Sequence, residues 1–151
     1  MTIETNQQLD MTNLISFKKK LRATELQEHV EKLITYISAR GAKKLDGSIS
    51  ATYAVMGDVM DIEVMIPINC EIPSNDEFLF KPEFRLTNCI KISHNDSVAR
   101  LQETIEKLGQ YITNHMLTPS SACFIVMHNE IATSNEVAKA DIYVPISIKA
   151  A

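Results

Sequence analysis

Two carboxylates hold matching places in two short apolar segments. Glu63 stands in IEVMIPI (62–68) and Asp141 in ADIYVPI (140–146), and aligning Pro67 with Pro145 sets one acid opposite the other. A carboxylate in low-dielectric surroundings attracts a cation strongly, and aromatic ring faces add cation–π attraction. Tyr143 follows Asp141 by two residues, and Tyr53 and Phe124 fall on neighbouring apolar segments. Glu63, Asp141, Tyr53, Tyr143 and Phe124 are therefore the candidate ligand-binding set. The same alternation allows a plainer reading, in which Asp61, Glu63 and Asp141 line the solvated face of a half-buried sheet. Glu63 is also the one residue that could serve as a buried general base, were the chain a small hydrolase.

Other chemistries find less support. His29, His94, His115 and His128 show no HxxxH pair and no His/Cys pair at ligand spacing, so no metal site is expected. His29 and His115 are expected on helix surfaces, with His94 and His128 ending strands. Cys70, Cys89 and Cys123 are odd in number, widely spaced and free of any CxxC, which fits reduced packing residues. Glycines at 41, 47, 57 and 109 cannot form a phosphate or dinucleotide loop, and no cofactor is implied. No nucleophile–base arrangement is legible, so the chain is expected to be non-catalytic.

The elements that would position these residues come from a repeat. LQEHVEKLITYI (26–37) and LQETIEKLGQYI (101–112) share eight of twelve positions. Leu26, Val30, Leu33 and Ile37 make one apolar stripe, and Leu101, Ile105, Leu108 and Ile112 repeat it. Thr24 with Gln27 suggests a capping box, Gly41 a stop, Asp96 or Ser97 a second start, and Pro119 a second limit. Tyr36 and Tyr111 sit at the same flank of each stripe, as packing residues at the edge of the core. Strand patterns precede each helix at Met11–Lys19 and Phe84–Ser93. Two more follow each: Ile49–Met56 and Val59–Ile68, then Ala122–His128 and Ala140–Ile148, with a polar loop at Asn129–Glu136. Ile62, Val64 and Ile66 point one way, as do Ile142, Val144, Ile146 and Ile148. Asp61, Glu63 and Met65 point the other way, as do Asp141, Tyr143 and Ser147. Pro67 and Pro145 cannot donate to a ladder and should face an edge or a bulge.

Each half thus reads strand, helix, strand, strand. One half cannot close a core, but two fused copies can. The expected fold is α+β, a single domain over 1–151. Its pseudo-symmetric halves, about 9–69 and 83–149, are joined by 70–82 into one antiparallel sheet with two helices on one face. A length of 151 residues, 45% apolar and 23% charged, suits a single soluble domain. A net charge of -4 argues against a nucleic-acid partner, and the Lys18, Lys19, Lys20 and Arg22 cluster reads as a solvated strand end. No apolar run is long enough to span a membrane, and the polar start MTIETNQQLD lacks a signal-peptide pattern. A cytoplasmic location is expected.

The tandem halves, with closing strands of the form DIxVxIPI and ADIxVPI, resemble the GyrI-like small-molecule-binding domain, also called the bacterial transcription activator effector-binding domain. The resemblance covers about residues 9–149 and is strongest in IKISHNDSVARLQETIEKLGQYI (90–112). Where family members often carry a Gly-Pro-Tyr-like turn before the second helix, this chain has Asn95-Asp96-Ser97. The resemblance implies a ligand between the two helices, with an acid facing a cationic group and aromatics stacking on it. It also implies that regulators carry an N-terminal helix-turn-helix, for which a repeat beginning near residue 9 leaves no room. The chain is similar, too, to stand-alone Firmicutes proteins of this fold. The favoured expectation is binding of a small organic ligand, cationic or aromatic. The alternative is a protein-interaction module linked to secretion or toxin control, with a protein partner. A small hydrolase is third.

Overall fold

The computed structural model describes residues 2–129 and 136–147. Their order is β1 (Ile3–Arg22), α1 (Ala23–Ala39), β2 (Ser48–Met56), β3 (Val59–Pro67), β4 (Leu79–Ser97), a 3-10 turn (Val98–Arg100), α2 (Leu101–Asn114), β5 (Phe124–Met127) and β6 (Val137–Pro145). The chain is α+β, with the strand-helix-strand-strand order written twice. It packs as two compact units, Asp10–Arg85 and the residues on either side of that span.

In the unit Asp10–Arg85, β1 pairs antiparallel with β3 from Leu14↔Pro67 to Arg22↔Val59, and β2 pairs antiparallel with the other edge of β3. Alternation sends Ile62, Val64 and Ile66 toward α1, where they share a core with Ile15, Phe17, Leu33 and Ile37. Each such side chain, fully buried, contributes roughly 1.5–3 kcal/mol. In the other unit β4 pairs with β6 from Cys89↔Pro145 to Ser97↔Val137, and β5 pairs with β6 from Phe124↔Tyr143 to Met127↔Ala140. Ile90, Ile92, Ile142 and Val144 pack there with Leu108 of α2.

The repeat reaches details that hydropathy does not show. Asn13 and Asn88 both have left-handed backbone, at φ 55° and 52°. Each carbonyl accepts the amide just beyond a strand-ending proline, Ile68 at 2.9 Å and Ile146 at 3.1 Å. The prolines thus stand where their ladders end. Isolated bridges Lys44↔Ile68 and Pro119↔Ile146 repeat the pattern again. Both helices close the same way: Ala42 N–H bonds Ile37 C=O at 3.1 Å, and Leu117 N–H bonds Ile112 C=O at 3.0 Å. The residue before each is left-handed, Gly41 at φ 76° and Met116 at φ 53°.

Several expected boundaries move. β1 and β4 are longer than Met11–Lys19 and Phe84–Ser93: β1 takes in the mostly polar stretch 3–10, and β4 takes in 79–83, which contains Pro82, and the polar stretch 94–97. Residues 79–82, expected in the connection, begin β4. α1 starts at Ala23, with Arg22 before it, and the Thr24–Gln27 box is not the one used. Glu25 Oε1 instead accepts the Arg22 N–H at 2.9 Å, while Gln27 donates to Glu31. β4 runs through Asp96 and Ser97, so the 3-10 turn, and not a cap, leads into α2. The loop expected at Asn129–Glu136 lies largely outside the described residues, as does Ile148. No helix among the described residues is long and apolar enough to cross a membrane.

Candidate functional site

Glu63 lies in the middle of β3, opposite Lys18 of β1 and Ala51 of β2. It is 7% exposed, so it does not belong to a solvated face. It points away from the face that packs on α1. A register shift between Thr52 and Ala54 makes Tyr53 the extra residue of a bulge. Bulges re-aim side chains, and here the Tyr53 hydroxyl donates to Glu63 Oε1 at 2.7 Å. The Lys81 ammonium donates to Glu63 Oε2 at 2.7 Å and lies 3.8 Å from Met65 Sδ. Lys81 also stands 5.7 Å from the centre of the Phe84 ring. Lys18 lies 4.7 Å over the Tyr53 ring and 3.7 Å from Asp61. Burial, then the hydrogen bond and charge of Glu63, raise the Tyr53 pKa well above its ordinary value. Tyr53 therefore remains a donor across the physiological range. The cluster is a buried carboxylate with a phenol on one oxygen and an ammonium on the other.

Asp141 is the counterpart in the second unit. Ser93 Oγ donates to its Oδ1 at 2.7 Å, His128 Nε2 lies 2.7 Å from its Oδ2, and Lys91 Nζ is 3.8 Å away. Partial burial works to raise the Asp141 pKa. The bonds from Ser93 and His128 and the nearby Lys91 charge outweigh it and hold the carboxyl below its ordinary value. Lys91 sits 5.6 Å over the Tyr143 ring. Burial raises the Tyr143 pKa, opposed by Lys91. Phe124 faces Tyr143 in the ladder, and both are buried. Ser93, Asp141 and His128 are the residue types of a hydrolase triad, but the carboxylate sits between the other two. A relay needs the imidazole between serine and acid, so this cluster cannot activate Ser93.

The structure therefore brings Glu63 and Tyr53 together in one unit and sets Asp141 beside Tyr143 and Phe124 in the other. Within its own unit each acid stands on the strand face opposite the residues that pack on that unit's helix, a consequence of strict alternation. The sequence reading missed Lys81, which fell in the presumed connection, and Lys91, Ser93 and His128, which lie near Asp141 only through strand pairing. Position 18, two before Lys20 in a basic run, gave no hint of Tyr53.

Cys70, expected as a packing residue, is exposed; the other candidates below have structural surroundings. Burial pushes the Cys89 and Cys123 thiols up to about 11, so neither is a ready nucleophile at neutral pH. His94 was expected at a strand end and is buried, with Nδ1 2.7 Å from Thr104 Oγ1 and Nε2 3.0 Å from Ser97 C=O. His115 stacks on Tyr111 at 3.9 Å. Among the described residues no group of three or more His, Cys, Asp or Glu is placed to hold a metal ion.

Several solved structures share this fold. The C-terminal domain of EcmrR aligns with a TM-score of 0.69 and 11% identity, over 97% of this chain and 99% of that one. The EcmrR chain in its DNA complex aligns at 0.67 and 11% identity, over 95% of this chain and 57% of that one, so this chain spans little more than half of it. A hydrolase from Listeria innocua aligns at 0.61 and 12%, over 97% and 91% of the two chains. SAV2435, solved with tetraphenylphosphonium bound, aligns at 0.56 and 15%, over 97% and 94%. No protein-family model and no curated protein matches the sequence.

Proposed function

We propose that this chain is a GyrI-like effector-binding domain that binds a small organic cation at Glu63 and does not catalyse a reaction on it. The observation that carries the reading is the Glu63 cluster: a buried carboxylate, a bulge-borne phenol, and a lysine ammonium as resident counter-ion. A buried carboxylate left alone is strongly destabilising, so the unliganded protein needs Lys81. The Lys81 side chain is 24% exposed at the ion pair and hangs on a flexible stem. A ligand cation takes the place of the ammonium, which moves out to water, while Tyr53 keeps its bond to the other oxygen. The Tyr53 and Phe84 rings lie beside that position and suit an aromatic cation. SAV2435, which shares the fold, was solved with such a cation. Both Glu63 oxygens already accept hydrogen bonds, which favours a binding group over a general base.

A thermal-shift comparison checks this. Tetraphenylphosphonium at 100 times its dissociation constant adds about 2.7 kcal/mol to the native state, several degrees for a chain of this size. The shift is expected for wild type and not for Glu63→Gln. A shift of equal size in Glu63→Gln would remove the acid from the account, and no shift with any organic cation would remove the ligand.

A further inference from the structure

Glu63 shares its strand face with a second acid. Asp61 stands two residues earlier in β3, so alternation sets it on the same face, about 7 Å away along the strand. Each acid has a resident ammonium, and each ammonium also rests near a ring. Lys81 Nζ bonds Glu63 at 2.7 Å and stands 5.7 Å from the centre of the Phe84 ring. Lys18 Nζ lies 3.7 Å from Asp61 and 4.7 Å over the Tyr53 ring. Tyr53 joins the two places, since its hydroxyl bonds Glu63 while its face carries Lys18. All of these residues belong to the unit Asp10–Arg85.

The repeat shows that the fold does not require this arrangement. In the other unit Asp141 takes the place of Glu63 and His128 that of Tyr53, with the imidazole on the carboxylate as the phenol is. The place of Asp61 is taken by Lys139, which stands opposite Asn95 in the ladder as Asp61 stands opposite Lys20. The second acid is thus a property of one copy and not of the strand pairing. It is also held loosely. The Lys18 and Asp61 side chains are 52% and 22% exposed, and ion pairs of this kind contribute little. An ammonium tethered to one already seated at Glu63 would compete with Lys18 at high effective concentration.

We propose that the cation taken at Glu63 is one end of a linear organic dication, a diamine whose second ammonium displaces Lys18 from Asp61 and the Tyr53 ring. This rests on cation binding at Glu63 and adds the class of ligand. The resident groups are primary ammoniums, so a ligand carrying two of them reproduces their bonds to the acids and their attraction to the rings. A chain of about five methylene groups is long enough to reach about 7 Å. Tetraphenylphosphonium, with a single charge, uses the Glu63 place only.

The test is a calorimetric titration of cadaverine, a five-carbon diamine, and of pentylamine, its single-amine analogue, into the whole chain. In wild type the diamine should bind about 10-fold tighter than the monoamine. Asp61→Asn should bring the ratio of the two affinities close to one. Lys18→Gln removes the competitor and should raise that ratio, so it decides the matter if Asp61→Asn does not fold. A ratio near one in wild type, a ratio that survives Asp61→Asn, or one that does not rise in Lys18→Gln overturns the dication. If neither amine binds while tetraphenylphosphonium binds wild type and not Glu63→Gln, the dication falls and cation binding at Glu63 stands. If none of the three binds, both fall.

Discussion

Met116 carries a left-handed backbone at φ 53° where its repeat partner is Gly41. That conformation costs an L-residue roughly 1–2 kcal/mol, and glycine returns part of the gain as unfolded-state entropy. Met116→Gly should therefore stabilise the protein by about 0.5–1 kcal/mol in denaturant unfolding. Gly41→Met should destabilise it by a similar or larger amount. A Cβ at Gly41 meets nothing within 4 Å, so that loss would be purely a backbone effect. Asp141 supplies a pH signature. Its folded pKa is held below the ordinary carboxylate value, near 3.9. Its contribution is fully present above that value and is lost as pH falls through the lower, folded one. Stability measured from pH 6 down to pH 2 should fall more gently for Asp141→Asn than for wild type over the acid end. Parallel curves would show that the Ser93, His128 and Lys91 contacts do not favour the charged form. Neither feature could be read from the sequence. A methionine gives no sign of positive φ, and the partners of Asp141 lie 13 to 50 residues away along the chain.

At the scale of elements, α1 tests how local signals compete. Thr24, three residues before Gln27, resembles a capping box, but the helix starts at Ala23 and Glu25 supplies the acceptor for Arg22 N–H. Glu25→Ala should cost about 1 kcal/mol in thermal unfolding, while Thr24→Ala should be close to neutral. The reverse order would restore the Thr24 cap. The stripes at Leu26–Ile37 and Leu101–Ile112 were legible because a helix must bury one face, and 3.6-residue periodicity records that need directly. β3 and β6 were legible for the same reason at period two. The outer part of β1 was not, because its residues are mostly polar and a strand's backbone bonds leave no trace in their types. The Tyr53 bulge is another silent feature: a one-residue register shift is set by pairing, not by composition.

For the whole molecule, the written-twice helix and the alternating patterns beside each copy were enough to give the α+β class and the order of elements. The site was only half legible. Alternation told which residues share a face with Glu63, but not whether that face is wet or dry, and it did not reveal that Lys81 supplies the counter-charge. That counter-charge is the centre of the account: if a ligand cation binds by replacing the Lys81 ammonium, the lysine is a built-in competitor. The most direct measurement is a calorimetric titration of tetraphenylphosphonium into wild type, Glu63→Gln and Lys81→Gln, the last keeping a donor while removing the charge. The account predicts binding to wild type, affinity about 10-fold tighter in Lys81→Gln, a gain of roughly 1.4 kcal/mol, and loss of binding in Glu63→Gln. Equal affinity in all three proteins would contradict it.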